Sequence, residues 1–289
     1  ALSPLAPLHN PANLMGIEVA LQFAPDVPQI AVFDTAFHQT VPPPAFHYAL
    51  PHDFYDRHNI RRYGFHGTSH GYVAKQAALY LKRALDSLNL ITLHLGNGAS
   101  ATAIKKGKSV DTSMGMTPLE GLIMGTRSGD IDPAIIFYLG RKTGLSQDEM
   151  ESLLNKHSGL KGICGVNDMR EIAALAAQGN QSARLAIEMF CYRIKKYIGA
   201  YSAVLGHVDA LVFTGGIGEN AAEIRARSCE GLARMGIEVA ENKNSMQTGA
   251  AREIQSSECP VRILVIPTDE ELEIAEQTAR KIQAISAVS

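Results

Sequence analysis

The sequence has no basic surplus, no long apolar run and no paired cysteines, and each absence removes a class of function. Lys and Arg number 27 against 29 Asp and Glu, a net charge of -2. That balance argues against a nucleic-acid binder, which gathers excess Lys and Arg on one face to neutralise phosphates. No apolar stretch approaches the ~20 residues needed to span a bilayer, so a membrane protein is not expected. Cys164, Cys191, Cys229 and Cys259 show neither CxxC pairing nor short ligand spacing. A disulfide scaffold or structural zinc site would need such spacing, and reduced thiols in a cytoplasmic protein fit better. The opening ALSPLAPLHNP has neither the basic nor the apolar block of a signal peptide. No fixed-period repeat or low-complexity tract is visible.

What remains is 46% hydrophobic and 19% charged, enough apolar material for a sizeable core. Residues 29–33 (QIAVF), 90–95 (LITLHL), 208–213 (VDALVF) and 262–266 (RILVI) read as buried strands, short apolar runs bounded by turn residues. Residues 100–104 and 109–112 flank Lys105-Lys106-Gly107-Lys108, which predicts a hairpin. A helix capped by Thr68 or Ser69 is predicted from the spacing of Val73, Ala77, Tyr80, Leu81 and Ala84. Ser146 with Glu149, and Thr268 with Glu271, have the spacing of capping boxes, the second opening a terminal helix over 269–285. Residues 181–205 give the longest helical pattern, with Leu185, Met189, Tyr192, Ile194, Tyr197 and Ile198 toward one side. Another helix is predicted over 220–234. Strands interleaved with crossover helices indicate an α/β protein with partly parallel sheets.

Two glycine clusters and one irregular stretch carry the chemistry. Thr214-Gly215-Gly216-Ile217-Gly218-Glu219-Asn220 lies between a strand and a helix, where backbone N–H groups and the helix dipole favour an anion. With Ala221 it also satisfies the dinucleotide fingerprint GxGxxA, and Glu238 follows at about the spacing of a ribose-binding acid. The second cluster, His94 to Ser100, precedes a strand rather than a helix, which suits a phosphate clamp made by a hairpin. Gly107-Lys108-Ser109 resembles the end of a Walker A loop, but Thr102 stands where its first glycine is needed. His66 and His70 are four apart, yet Gly67 replaces the glutamate of a zincin motif, so zinc is not expected. Arg61, Arg62 and Phe65 surround His66 in a combination suited to an anionic ligand. Between Val110 and Pro133, glycines are dense and regular elements have little room; long irregular loops in compact chains are usually functional. Arg127 there offers a planar guanidinium to phosphate or carboxylate, in preference to a surface pair with Asp130. Asp34, ending one predicted strand, and the acids Asp269, Glu270 and Glu271, opening the terminal helix, are carboxylates suited to Mg²⁺. Together these features point to phosphoryl transfer.

The segments LAPLHNPAN, AVFDTAFHQT, RRYGFHGTSH, HLGNGAS, VDTSMGMTPLEGLIMGTRSGDIDP, FTGGIGEN and IPTDEELEIA, in that order along the whole chain, resemble the acetate kinase family. The resemblance implies the actin-like ATPase fold of the sugar kinase, heat-shock protein and actin superfamily, with ribonuclease H-like domains around a nucleotide cleft. It implies reversible phosphoryl transfer from ATP to acetate, giving acetyl phosphate and ADP, with Mg²⁺ (or Mn²⁺) as the metal. It assigns Asp34, His66 and Arg127 to catalysis and Glu270 to the metal. His94, Leu95, Gly96, Asn97 and Gly98 match the phosphate hairpin, and Asp168, Met169 and Arg170 a nucleotide-contacting segment. Gly216, Ile217, Gly218, Glu219 and Asn220 match the adenosine loop, displacing the dinucleotide reading. Leu8, His9, Phe65 and Pro118 match the pocket for the acyl group. A cytoplasmic homodimer is implied, without nucleic-acid or membrane partners. The implied domains are an incomplete first one, residues 1–36 with 272–289, and a second for nucleotide and dimerisation, residues 37–271.

The family's opening N-A-G-S-S-S turn and a second active-site arginine have no counterpart here, and Asp269 stands where many members carry Asn. The expectation is a chain lacking the family's N-terminal segment, inactive or weakened alone. A catalytically impaired nucleotide-binding fragment is therefore one alternative, and propionate kinase another. One methylene in an apolar pocket is worth only ~1–3 kcal/mol, so the pattern does not separate acetate from propionate.

Overall fold

A computed structural model describes residues 10–246 and 248–286. Its centre is a six-stranded sheet of β1 (Asn89–Leu95), β2 (Ala99–Lys105), β3 (Lys108–Thr112), β4 (Ala210–Thr214), β5 (Arg252–Glu253) and β6 (Arg262–Val265). The strand order is β3-β2-β1-β4-β6-β5. β1, β4 and β6 run parallel, while the β2–β3 hairpin and β5 add antiparallel edges. The predicted hairpin forms, with Lys106 and Gly107 both at positive φ in its turn.

Period-two alternation decides what each face receives. Ile91, Leu93, Leu95, Leu211, Phe213, Ile263 and Val265 turn to one side and pack on Ile187, Phe190, Ile194 and Ile198 of the Gln181–Leu205 helix. Leu90, Ala210, Val212 and Leu264 turn to the other and meet Val73, Ala74, Ala77 and Ala78 of the Gly67–Leu81 helix. Each fully buried Leu or Ile contributes about 1.5–3 kcal/mol, and the sheet is dry on both faces. Thr92 and His94 share the parity of Leu90, which places them on the side of the Gly67–Leu81 helix. Among the described residues no helix is long and apolar enough to cross a membrane.

Five local expectations are corrected. Residues 29–33 are extended but unpaired; Phe33 is 61% exposed and no described strand lies beside them, so the ladder that defines a strand is missing. Neither Thr68 nor Ser69 caps its helix, which starts after His66 and lies inside that run. The cap comes from Asp34, whose carboxylate accepts from the N–H groups of His66 and Thr68 and whose carbonyl accepts from Gly67. At the terminal helix, Glu270–Ser286, the cap is Asp269, accepting from Leu272 N–H, because Thr268 is engaged with Ser69. On the Gln181–Leu205 helix, Leu185, Met189 and Tyr192 are exposed, and the core face includes the small residues Ala183 and Ala186. The 220–234 segment breaks after the Ala222–Cys229 helix, with a 3₁₀ turn at Ala233–Met235. The Ser146–Glu149 capping box forms as predicted.

Candidate active site

Parallel strands end in loops on one edge of a sheet, and ligands bind there. The C-terminal ends of β1, β4 and β6 lead into His94–Gly98, the short Gly215–Asn220 helix and Pro267–Glu270. Side chains knit these three together. Glu219 Oε1 accepts from Gly215 N–H at 2.9 Å and from Thr268 N–H at 3.2 Å. Ser69 Oγ contacts both Thr268 Oγ1 and His94 Nδ1 at 2.8 Å.

Asp34 enters through the helix cap. His66 stands in the left-handed region at φ 55°, which turns successive N–H groups toward one point and makes an anion-binding concavity. Its N–H reaches Asp34 Oδ2 at 2.6 Å and that of Thr68 reaches Oδ1 at 3.2 Å. Each carboxylate oxygen keeps a further lone pair. Burial, and then the Asp34 charge, push the Glu270 carboxyl above its ordinary range. Two carboxylates that repel across a gap are a fitting site for a divalent cation. Mg²⁺ in particular takes one or two carboxylates and completes its shell with water and substrate phosphate. Among the described residues no group of three or more His, Cys, Asp or Glu could hold a metal by itself, so the substrate would supply the remaining ligands.

Arg127 and His66 meet at Gly98. A Cβ on Gly98 would lie 2.7 Å from Arg127 Nη2 and 3.2 Å from His66 Nε2. Arg127 donates from Nη1 to the Pro118 carbonyl at 2.7 Å, and no carboxylate pairs with it among the described residues. Asp130 instead takes Arg193 and Tyr197 Oη. Burial lowers the Arg127 pKa; a buried guanidinium without a counter-charge is costly unless an anion arrives. Gly98 is not among the positive-φ residues, so alanine there strains no backbone; it displaces the Arg127 guanidinium and crowds the His66 ring. Gly98→Ala is expected to lower turnover about 100-fold, as misplacement by an ångström can, with little change in melting temperature. Unaltered kinetics in that variant would dissociate Arg127 from the reaction.

The hairpin tip is fixed from outside. Asn97 O accepts from Gly125 N–H at 2.9 Å, and its Oδ1 from Asn167 Nδ2 at 3.0 Å. Arg61 and Arg62 are not free for an anion. Arg61 lies over the Phe46 ring, and Arg62 binds Glu120 and the carbonyls of Thr112, Ser113 and Met114. With Tyr48, which donates to Glu120 and accepts from Met116 N–H, it braces the loop that carries Pro118.

Other predicted residues are more loosely gathered. Phe65 packs on the core while its carbonyl accepts from His38 Nε2. Asp168 caps the Met169–Ala177 helix and pairs with Arg170 at the surface. The Met169 side chain is in the core. Gly216 to Asn220 form a helical turn rather than an open loop, and Arg225 binds the carbonyls of Gly218 and Glu219. Leu8 and His9 lie outside the described residues.

Buried imidazoles set a pH limit. His38, held by Ser109 Oγ and the Phe65 carbonyl, is lowered by burial to about 4 from the ordinary 6.5, and burial takes His70 well below 6.5. Below pH 6.5 the unfolded chain binds protons that the folded one refuses. Stability therefore falls as pH drops from 6.5 toward 4, by about 1.4 kcal/mol per unit for each such imidazole. The melting temperature should decline over that window, and less steeply in His38→Gln; parallel declines would overturn the assignment.

Comparisons with known proteins give the family. The model of the acetokinase family matches residues 1–276. An acetate kinase of Syntrophobacter fumaroxidans is 63% identical over 282 residues, 98% of this chain and 69% of the relative. One from Sulfurovum sp. is 62% identical over 287 residues, 99% of this chain and 72% of the relative. The crystal structure of Porphyromonas gingivalis acetate kinase superposes with a TM-score of 0.93 at 48% identity, covering 96% of this chain and 70% of that one. That of a Francisella tularensis propionate kinase gives 0.90 at 52% identity, covering 95% and 70%.

Proposed function

This chain belongs to the acetokinase family, and from that premise we propose that it is an acetate kinase, moving the γ-phosphoryl group of ATP reversibly to the carboxylate of acetate. It has the mixed α/β, actin-like ATPase fold of that family. The observation that carries the mechanism is the meeting of Arg127 Nη2 and His66 Nε2 at Gly98, beside the carboxylates of Asp34 and Glu270.

Acetate is already ionised at neutral pH, so its attack on phosphorus requires no general base. The obstacle is the approach of one anion to another. Arg127 offsets the charge on the transferring group, and His66 hydrogen-bonds the same oxygens, in a site already oriented before the reaction. Mg²⁺, held by Glu270 and neighbouring Asp34, would neutralise charge on the nucleotide phosphates. The hairpin His94–Gly98 carries the phosphates through its backbone N–H groups, and Gly216–Asn220 receives the adenosine. Phe65 and Pro118 serve the acyl pocket, a role the family resemblance also gives to Leu8 and His9, and Asp168–Arg170 border the nucleotide. The working unit is a cytoplasmic homodimer, with residues 37–271 as the nucleotide-binding and dimerisation domain and 1–36 with 272–289 belonging to the other.

The test is an acyl-hydroxamate assay of the full chain with Mg-ATP and acetate, propionate or butyrate. Acetate should turn over fastest, propionate next. A chain that phosphorylates propionate or butyrate faster than acetate does not have this function, and one that phosphorylates none of the three but still binds Mg-ATP is the impaired nucleotide-binding fragment instead.

A further inference from the structure

Three buried polar side chains behind His66 form a continuous line that the reaction itself does not touch. Ser100 Oγ lies 2.9 Å from His66 Nδ1 and 2.7 Å from His70 Nε2, and His70 Nδ1 lies 2.7 Å from Thr92 Oγ1. Thr92, His70 and Ser100 have no solvent exposure. Their meeting follows from the sheet: Thr92 and His94 are on β1, Ser100 lies opposite His94 on β2, and His70 descends from the adjoining helix.

A line of hydroxyls and neutral imidazoles can be protonated in two directions. Each contact needs one hydrogen, and each hydroxyl has only one to give. In the first direction Thr92 donates to His70 Nδ1, His70 Nε2–H donates to Ser100, and Ser100 donates to His66 Nδ1. His66 then carries its proton on Nε2. In the reverse direction His66 Nδ1–H donates inward, and Thr92 becomes the terminal acceptor. Its own hydrogen would then need a further acceptor, and among the described residues Thr92 Oγ1 has no partner other than His70. A buried hydroxyl without an acceptor is costly, so the first direction is favoured.

We propose that Thr92, His70 and Ser100 are positioning residues whose hydrogen-bond relay holds His66 as the Nε2–H tautomer, presenting an uncharged donor toward Gly98 and Arg127. The burial that keeps His70 uncharged is consistent with such a relay, since an imidazolium would donate at both ends and break its direction. The consequence for the proposed kinase, on whose assignment of His66 this rests, is that His66 can hydrogen-bond a phosphoryl oxygen without first being protonated. The nearby Arg127 then supplies the charge and His66 the direction. The tautomer of a histidine is set by the bond its other nitrogen makes, and here that bond is traced back to a threonine far from the substrate.

The experiment is ¹⁵N NMR of the full chain labelled at histidine, near neutral pH, with the His66 signals assigned by their loss in His66→Gln. His66 should read as Nε2–H. In Thr92→Val, which keeps the shape and removes the hydroxyl, the preference should weaken toward a mixture. kcat should fall roughly 10- to 100-fold, as loss of an orienting partner does, with the KM for ATP nearly unchanged. Thr92→Ser should restore both. A wild-type His66 found as Nδ1–H or as imidazolium would overturn the relay, as would a Thr92→Val protein with unchanged tautomer and kcat. The wild-type tautomer is read without turnover. Failure of the acetate assay would therefore remove the kinase reading while the tautomer still decides the relay.

Discussion

Arg127→Ala should lower kcat by about three orders of magnitude, the scale of a charge-stabilising arginine in phosphoryl transfer, with little change in the KM for ATP. The reason lies in its surroundings. Arg127 is held by one carbonyl bond, from Nη1 to Pro118, and points Nη2 at Gly98. It is half-buried with no carboxylate partner among the described residues, so a bound anion would supply its counter-charge. An interaction that strengthens as negative charge spreads over the transferring group acts on the transition state more than on bound ATP. Arg127→Lys should recover only part of the loss, since an ammonium lacks the planar fork. A KM that rises as far as kcat falls would assign Arg127 to ground-state binding instead.

Asp34 allows two roles to be separated by choice of substitution. Its carboxylate accepts from His66 and Thr68 N–H and so caps the Gly67–Leu81 helix, and its charge raises the pKa of Glu270. Asn keeps an acceptor oxygen but not the charge; Ala keeps neither. Asp34→Ala should lose about 0.5–2 kcal/mol, the usual cost of removing a cap, and Asp34→Asn less than that, since one of the two accepting oxygens survives while the other becomes an NH₂ facing a backbone N–H. Both should lose kcat by roughly 100- to 1,000-fold, because both remove a charge placed at the reacting group. Asp34→Asn with normal turnover would make Asp34 a structural cap alone.

What could be read in advance depended on whether the relevant partner was close in sequence. β1, the β2–β3 hairpin and the Ser146–Glu149 box follow from alternation, turn chemistry and spacing within a few residues. The Gly67–Leu81 helix was also legible, but its cap was not, because the capping carboxylate arrives from Asp34, across the chain. Residues 29–33 have the composition of a strand, yet a strand exists only beside a neighbour. On the Gln181–Leu205 helix the large apolar residues drew attention from the alanines that let the helix approach the sheet. At the site, Arg127 and the two glycine clusters were visible because glycines massed at strand ends let backbone N–H groups approach an anion, and a nearby arginine matches it in charge. Thr92 and Ser100 were not: nothing in a row of β-strand residues distinguishes a hydroxyl that faces a histidine from one that faces a methyl group.

The sheet order also governs when the site comes into being. Leu90 pairs with Ala210, and Ala210 with Arg262, so the parallel core joins segments made far apart in time on the ribosome. Such pairings must overcome the entropy of closing long loops before any burial rewards them. The Gly67–Leu81 helix and the hairpin precede β4 and β6 in the chain, so the sheet fills only once those later strands have emerged. Glu270 and the Thr268 that braces Ser69 follow β6 directly. A growing chain therefore carries Arg127, His66 and His94 before it has made Glu270, and the site is complete only after β6 has joined the sheet.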